Sequence, residues 1–203
     1  MLAAPTFVAS STLGLSGAVA ASERITVGAI GLGFHSRLNL SALAHMDDVQ
    51  CVAVCDCFAH RRAEGKELVD RLQGNKDCAT YEDFRELIAR EDIDAVMIMT
   101  PSHWKAIHAI ESAKAGKDVY CEKPMTLCIR EGREMVSAVR RYGRVFQHGT
   151  QKRSHWNLHF ACELVRNERI GKLKSVYVTV GGRRVTAICR QSRCLRASTG
   201  TCG

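Results

Sequence analysis

Ile25-Thr26-Val27-Gly28-Ala29-Ile30 is a short, apolar, β-branched run, and it leads directly into Gly31-Leu32-Gly33-Phe34-His35-Ser36. The run reads as a buried parallel strand, and the loop after it opens a helix. The first glycine permits a tight turn. The second lets the main chain approach a pyrophosphate, whose charge faces the helix N-terminus. Ser36 holds the third glycine position and is small but imperfect there. Asp56 follows Ser36 by twenty residues, at the end of a second apolar run over 49–55. An acid at that place accepts hydrogen bonds from the ribose hydroxyls of an adenosine. It also reads as a solvated turn residue. Strand, loop, helix and acid in this register point to dinucleotide binding, with Gly31, Gly33, Phe34, His35, Ser36 and Asp56 as cofactor-binding candidates. A carboxylate repels a 2′-phosphate, so NAD is favoured over NADP, although Arg61 and Arg62 nearby offset that preference.

The alternation continues along the chain. Helical spacing covers 38–46, with Leu38, Leu40, Leu43 and Ala44 as candidate core positions, and a charged helix covers 60–73. A short helix at 81–90 carries Phe84, Leu87 and Ile88 on one face. Buried strands follow at 95–99 and 118–121, and a further strand at 144–147. Helices at 104–115 and 130–142 stop near Gly116 and Gly143, where a C-terminal glycine is expected. Strands alternating with helices imply an α/β fold, a doubly wound parallel sheet covered on both faces. This Rossmann-type unit spans 24–148. From 149 to 181 the pattern changes to a helix at 154–167 and an alternating strand at 172–180, the opening of an incomplete second, α+β sheet domain. A lone strand leaves its edges unpaired, so poor solubility or local disorder is expected after about Gly149.

The two ends fit neither unit. Residues 1–23 have no basic residue and read as a leader or partial signal segment, since Ala18-Val19-Ala20 resembles a signal-peptidase site but the charged n-region is missing. Residues 182–203 hold five arginines, three cysteines and no acid. Read one base earlier from the Arg184 codon, with compatible third bases, this tail becomes an ordinary protein segment, so it is expected to be out of frame.

Charge excludes one class of partner. The net +8 falls to 24 basic against 21 acidic residues once that tail is set aside. The body therefore has no basic stripe to neutralise phosphates, and no nucleic-acid partner is expected. No run of eighteen apolar residues spans a membrane. Ten cysteines are many for 203 residues. Cys55-x-Cys57 lacks the spacing of a zinc site and no second pair answers it, so core filling is expected, with neither metal nor a disulfide framework.

Two further turns carry chemistry. Thr100-Pro101-Ser102-His103-Trp104 and Glu122-Lys123-Pro124 each follow a strand, and ligands of open α/β sheets sit outside the carboxyl ends of strands. Thr100, Pro101, His103, Glu122 and Lys123 join the cofactor-binding candidates. Lys123 is also the catalytic candidate, because a lysine desolvated beside a cofactor can polarise or protonate an oxygen. Read blandly, His103 is a surface histidine and Glu122-Lys123 an exposed ion pair.

Together these residues resemble the Gfo/Idh/MocA oxidoreductases, the glucose–fructose oxidoreductase and inositol dehydrogenase family. The likeness takes in the glycine loop, Val52-Ala53-Val54-Cys55-Asp56, Asp92-Ile93-Asp94-Ala95-Val96 and the two turns. It extends through Ala115-Gly116-Lys117-Asp118-Val119 and Gly149-Thr150-Gln151-Lys152-Arg153-Ser154 to Ile170-Gly171-Lys172-Leu173. The resemblance implies a Rossmann domain followed by a largely antiparallel sheet domain. It implies hydride transfer between a nicotinamide and a hydroxyl-bearing carbon, with a sugar, polyol or cyclitol as the small-molecule substrate. It places Lys123 by the nicotinamide and substrate, and Glu122 on the cofactor ribose. It also implies a cis Lys123–Pro124 peptide and a 149–154 segment entering the substrate side. Relatives often assemble through the sheet domain, so an oligomer is implied for a full-length form. The leader resembles the end of a twin-arginine signal without its arginine pair, which leaves a cytoplasmic or a periplasmic location open.

The sequence departs from the family at Ser36 and at Lys105, where many relatives have a second histidine. The family's second catalytic group, an Asp or His in the sheet domain, lies beyond the recognisable sequence. Three readings follow: an NAD(P)-dependent oxidoreductase, a truncated fragment that only binds dinucleotide, and another Rossmann user such as a methyltransferase. The frame-restored protein is expected to turn over substrate and this chain is not.

Overall fold

The computed structural model describes residues 19–177. The expectations for 1–18, for 178–180 of the C-terminal strand and for the 182–203 tail lie outside the described residues. The chain divides into two compact units, 1–153 and 154–203.

The first unit is built on six strands: β1 (Ile25–Ile30), β2 (Val49–Cys55), β3 (Ala79–Tyr81), β4 (Ala95–Ile98), β5 (Asp118–Glu122) and β6 (Phe146–Gly149). Their order is β3-β2-β1-β4-β5-β6, and every pairing is parallel. Five helices connect them: α1 (Phe34–Ala44), α2 (Ala59–Gln73), α3 (Phe84–Ile88), α4 (Ser102–Lys114) and α5 (Ile129–Arg141). This is the doubly wound α/β fold the sequence implies. The strand order reverses between β1 and β4, and such a switch point opens a crevice at the carboxyl ends of the strands.

The core lies in two layers. Val27 and Ala29 of β1, Cys51 and Val54 of β2, and Met97 of β4 pack with Leu40 of α1 and Val69 of α2. Ala53 and Cys55, Val96 and Ile98, and Val119 and Cys121 pack with Phe84, Leu87 and Ile88 of α3, Ala106 and Ala109 of α4, and Met135 of α5. Successive strand residues thus serve opposite layers, the period-2 pattern of strands buried on both faces. Cys51, Cys55, Cys78 and Cys121 are buried free thiols that fill this core, whereas Cys57, Cys128 and Cys162 are exposed.

Several sequence expectations need correction. Helix α1 begins at Phe34 rather than at 38, because the chain turns helical directly after Gly33, an N-cap with no side chain to announce it. Leu40 and Ala44 are buried, but Leu38 is 68% exposed, since it faces the crevice instead of the core. The 81–90 helix is shorter, and Tyr81 belongs to β3. Asp83 stops the strand and starts α3 by accepting the Arg85 N–H at 2.9 Å, an N-cap role that suits aspartate. Strand β6 sits two residues later than the 144–147 reading.

The second unit contributes α6 (Trp156–Arg166), within the expected 154–167 helix. Residues 172–177 carry no regular secondary structure, so that part of the expected 172–180 strand does not form. A strand exists by pairing, and residues 172–177 pair with no strand among the described residues. No helix among the described residues is long and apolar enough to cross a membrane.

Candidate dinucleotide and active site

The carboxyl ends of β1, β2, β4 and β5 open into one cleft of about 1040 Å³. Gly31, Gly33, His35, Asp56, Thr100, Pro101, His103, Glu122 and Lys123 all line it. Phe34 and Ser36 do not. Phe34 points outward and is 81% exposed. Ser36 is buried, and its hydroxyl donates to the Gly33 carbonyl, so it braces the loop from beneath.

The loop is shaped from both sides. Gly31 has φ +90°, and a Cβ there would lie 2.8 Å from Thr100 Cγ2 and 2.9 Å from the Thr100 amide nitrogen. It must be glycine because the backbone passes directly against the end of β4. Gly33 is different. Its backbone is extended, with φ −72°, and a Cβ on it would meet nothing within 4 Å. The space above Gly33 is therefore open to a ligand, and while the Ser36 N–H donates to the Gly33 carbonyl at 3.1 Å, the Phe34 and His35 amides at the start of α1 have no intrahelical acceptor. A pyrophosphate fits that space and that donor set.

Asp56 anchors the adenosine side. It is 8% exposed. Its Oδ2 accepts the Leu32 N–H at 2.8 Å and its Oδ1 accepts the Phe58 N–H at 2.9 Å. Arg61 Nη1 stands 3.9 Å from Oδ2. The carboxylate is thus tied to the glycine loop itself. Each oxygen keeps acceptor capacity for a hydroxyl, while a phosphate beside it would be repelled. Arg61 also lies over the Phe58 ring at 4.8 Å, which holds the guanidinium at the rim.

On the β4 side, Thr100 Oγ1 is 3.1 Å from His108 Nδ1. His108 stacks on Trp104 at 5.5 Å and meets the edge of Phe84 at 4.4 Å. Burial, reinforced by the nearby Arg85 charge, lowers the His108 pKa to about 4. The ring is neutral at pH 7 and supports the cleft wall. His103 is exposed at the mouth.

Glu122, at the end of β5, is a convergence point. It is 8% exposed. Its Oε1 accepts from Asn39 Nδ2 at 2.9 Å and from Gln151 Nε2, and its Oε2 accepts the Lys123 N–H at 2.8 Å. The carboxylate ties α1, β5 and the turn after β6 together. Lys123 itself is exposed into the cleft, and the Lys123–Pro124 peptide is cis.

Sequence reasoning missed Asn39, Gln151, His108 and Lys105 as parts of this site. Lys105 and His108 carried a signal, because both lie on the α4 stripe with Ala109, Ser112 and Ala113 that faces inward. Asn39 carried none, since a single amide on a helix reads as solvated, and Gln151 was marked only as part of the 149–154 segment that the resemblance places on the substrate side.

Fold and cleft together define a Rossmann-type α/β domain with its cleft at the switch point of the sheet. The family model described as "Oxidoreductase family, NAD-binding Rossmann fold" matches residues 25–150, and the chain belongs to this Gfo/Idh/MocA family. A glycosyl hydrolase family 109 protein of Shewanella baltica is 32% identical over 123 residues, covering 58% of this chain and 26% of the relative. The solved myo-inositol 2-dehydrogenase of Lactobacillus plantarum superposes with a TM-score of 0.64 at 28% identity, covering 73% of this chain and 43% of that one. The scyllo-inositol dehydrogenase of Lactobacillus casei, solved with NAD(H) and scyllo-inositol, gives 0.65 at 25% identity, with 73% and 42% covered. The chain thus spans about a quarter of that curated relative and about two-fifths of those solved dehydrogenases.

Proposed function

We propose that the chain binds a nicotinamide dinucleotide along this cleft, NAD in preference to NADP, and serves hydride transfer to or from a hydroxyl-bearing carbon of a sugar, polyol or cyclitol. One observation carries the reading: Gly31, Gly33, Asp56, His103 and Lys123, spread over more than ninety residues of sequence, line a single cleft. The adenosine ribose lies by Asp56, the pyrophosphate over Gly33, and the nicotinamide toward β5. The nicotinamide supplies the hydride acceptor or donor. Lys123 Nζ holds or yields a proton at the substrate oxygen, and Glu122 fixes the backbone from which Lys123 projects.

The two inositol dehydrogenases support cyclitols as a substrate class, and the curated relatives' name adds glycosides to the compounds worth screening. A methyl transfer has no use for Lys123 or for the His103 turn, yet both line the cleft. Titration with NADH, NADPH and S-adenosylmethionine, followed by tryptophan-to-nicotinamide energy transfer or by calorimetry, tests the cofactor. Saturable binding of NADH, tighter than NADPH, is expected; binding of S-adenosylmethionine alone overturns the reading. Appearance or loss of reduced nicotinamide with inositols, polyols and sugars then tests the substrate class.

A further inference from the structure

Lys105 sits where a helix normally places an apolar residue. It lies on the inward stripe of α4, beside Ala106 and in line with Ala109, and it is 3% exposed. Its Nζ donates to the carbonyl oxygen of Lys123 at 2.9 Å and to that of Pro124 at 2.9 Å. A lysine ammonium has three donors, and two are committed to this one turn. Burial lowers the Lys105 pKa, opposed by the Cys121 and Glu122 side chains and reinforced by the Lys123 charge. An aliphatic residue would fill the same volume without that desolvation penalty, so packing alone does not explain a lysine here.

The bonds fall in an informative place. The Lys123 N–H is held by Glu122 Oε2 and the Lys123 carbonyl by Lys105 Nζ. Both peptide groups flanking the Lys123 Cα are therefore fixed by buried side chains from two different elements, while the Lys123 side chain itself stays exposed in the cleft. We propose that Lys105 is a positioning residue, which clamps the Lys123–Pro124 main chain so that the Lys123 amine is presented to the nicotinamide end of the bound dinucleotide. This rests on the dinucleotide reading above. It assigns Lys105 a role distinct from that of Lys123: it reaches the reaction only through the backbone it holds. A histidine at position 105 would have fewer ring N–H donors for the two carbonyls, so the lysine makes the firmer clamp.

The test compares NADH with ADP-ribose, which has the adenosine and pyrophosphate but no nicotinamide. Lys105→Met keeps the length and removes both bonds. It is expected to weaken NADH binding about tenfold, the scale of one ordinary hydrogen bond lost at the nicotinamide end when Lys123 is misplaced, and to leave ADP-ribose binding within about twofold. ADP-ribose binding is also the control for folding. NADH should protect Lys123 from amine acylation in the parent and do so poorly in Lys105→Met. Lys105→His, a milder change, should give an intermediate NADH to ADP-ribose ratio, and it keeps the test available should the methionine variant unfold.

Equal weakening of both ligands would mean that Lys105 merely supports the fold, and the proposal is then overturned. An unchanged ratio in both variants overturns it as well, with the dinucleotide reading intact. If the parent binds neither NADH nor ADP-ribose, the dinucleotide reading itself falls and takes this inference with it.

Discussion

Alanine at Gly31 and at Gly33 should have opposite effects, although the two glycines are separated by one residue. At Gly31 the backbone has φ +90°, and the new Cβ would lie 2.8 Å from Thr100 Cγ2 and 2.9 Å from the Thr100 nitrogen. The left-handed region costs an L-residue roughly 1–2 kcal/mol, and overpacking against main chain adds about 1–3 kcal/mol. Gly31→Ala is therefore expected to lose about 2–5 kcal/mol of stability, the sum of those ranges. At Gly33 the φ of −72° suits any residue and the Cβ meets nothing within 4 Å. Restricting the unfolded chain adds about 0.4–1 kcal/mol, and replacing an N-cap glycine takes back a similar amount. Gly33→Ala should unfold within about 0.5 kcal/mol of the parent in urea. Its methyl occupies the space assigned to the pyrophosphate, so NADH should bind about tenfold to a hundredfold more weakly, as for the loss of one charge-assisted hydrogen bond. Urea unfolding and NADH titration of the two variants read both quantities. If Gly33→Ala bound NADH like the parent, or lost as much stability as Gly31→Ala, the assignment of the loop would be wrong.

The other predictions concern side chains around the cleft. His108 is held neutral with a pKa near 4 against an ordinary 6.5, so the unfolded chain takes up the proton first as pH falls. The stability due to the neutral ring is whole above pH 6.5 and is lost between pH 6.5 and 4. On the order of 2–3 kcal/mol should disappear over that window, and pH-dependent urea unfolding of His108→Gln should show a flatter profile there. Asp56→Asn removes the charge beside the ribose and one acceptor for the Leu32 and Phe58 amides. NADH affinity should fall roughly tenfold or more, NADPH affinity should fall less, and calorimetry of both cofactors gives the ratio. Glu122→Gln leaves three converging donors with one acceptor oxygen fewer. It should lower thermal stability by about 1–3 kcal/mol, measured by calorimetric melting.

What could be read from the sequence divides along physical lines. Strands β1 and β2 were legible because they are buried on both faces and appear as continuous apolar runs. Their carboxyl ends then located Gly31, Gly33 and Asp56 without any knowledge of the fold. Strand β3 escaped because three residues are too few to show a period. The start of α1 escaped because Gly33 caps it without a side chain, and Leu38 was assigned to the core because periodicity cannot distinguish a core-facing from a cleft-facing leucine. Lys105, Asn39 and Gln151 escaped for a different reason. Their importance lies in partners far away in sequence: the Lys123 and Pro124 carbonyls for Lys105, and Glu122 for the two amides. The α4 stripe hints at the burial of Lys105 and the resemblance marks the segment that holds Gln151, but the partners of a buried polar group are set by tertiary packing, and a single sequence does not display them.

The most direct test of the dinucleotide cleft is a map of backbone amide shifts as NAD is added to the isotope-labelled chain. The shifts should concentrate at Gly31, Gly33 and His35, at Asp56 and Phe58, at Thr100 and His103, and at Glu122 and Lys123. Shifts confined instead to the opposite edge of the sheet, around Asp94, Lys117 and Asp118 at the strand beginnings, would contradict the assignment of the site.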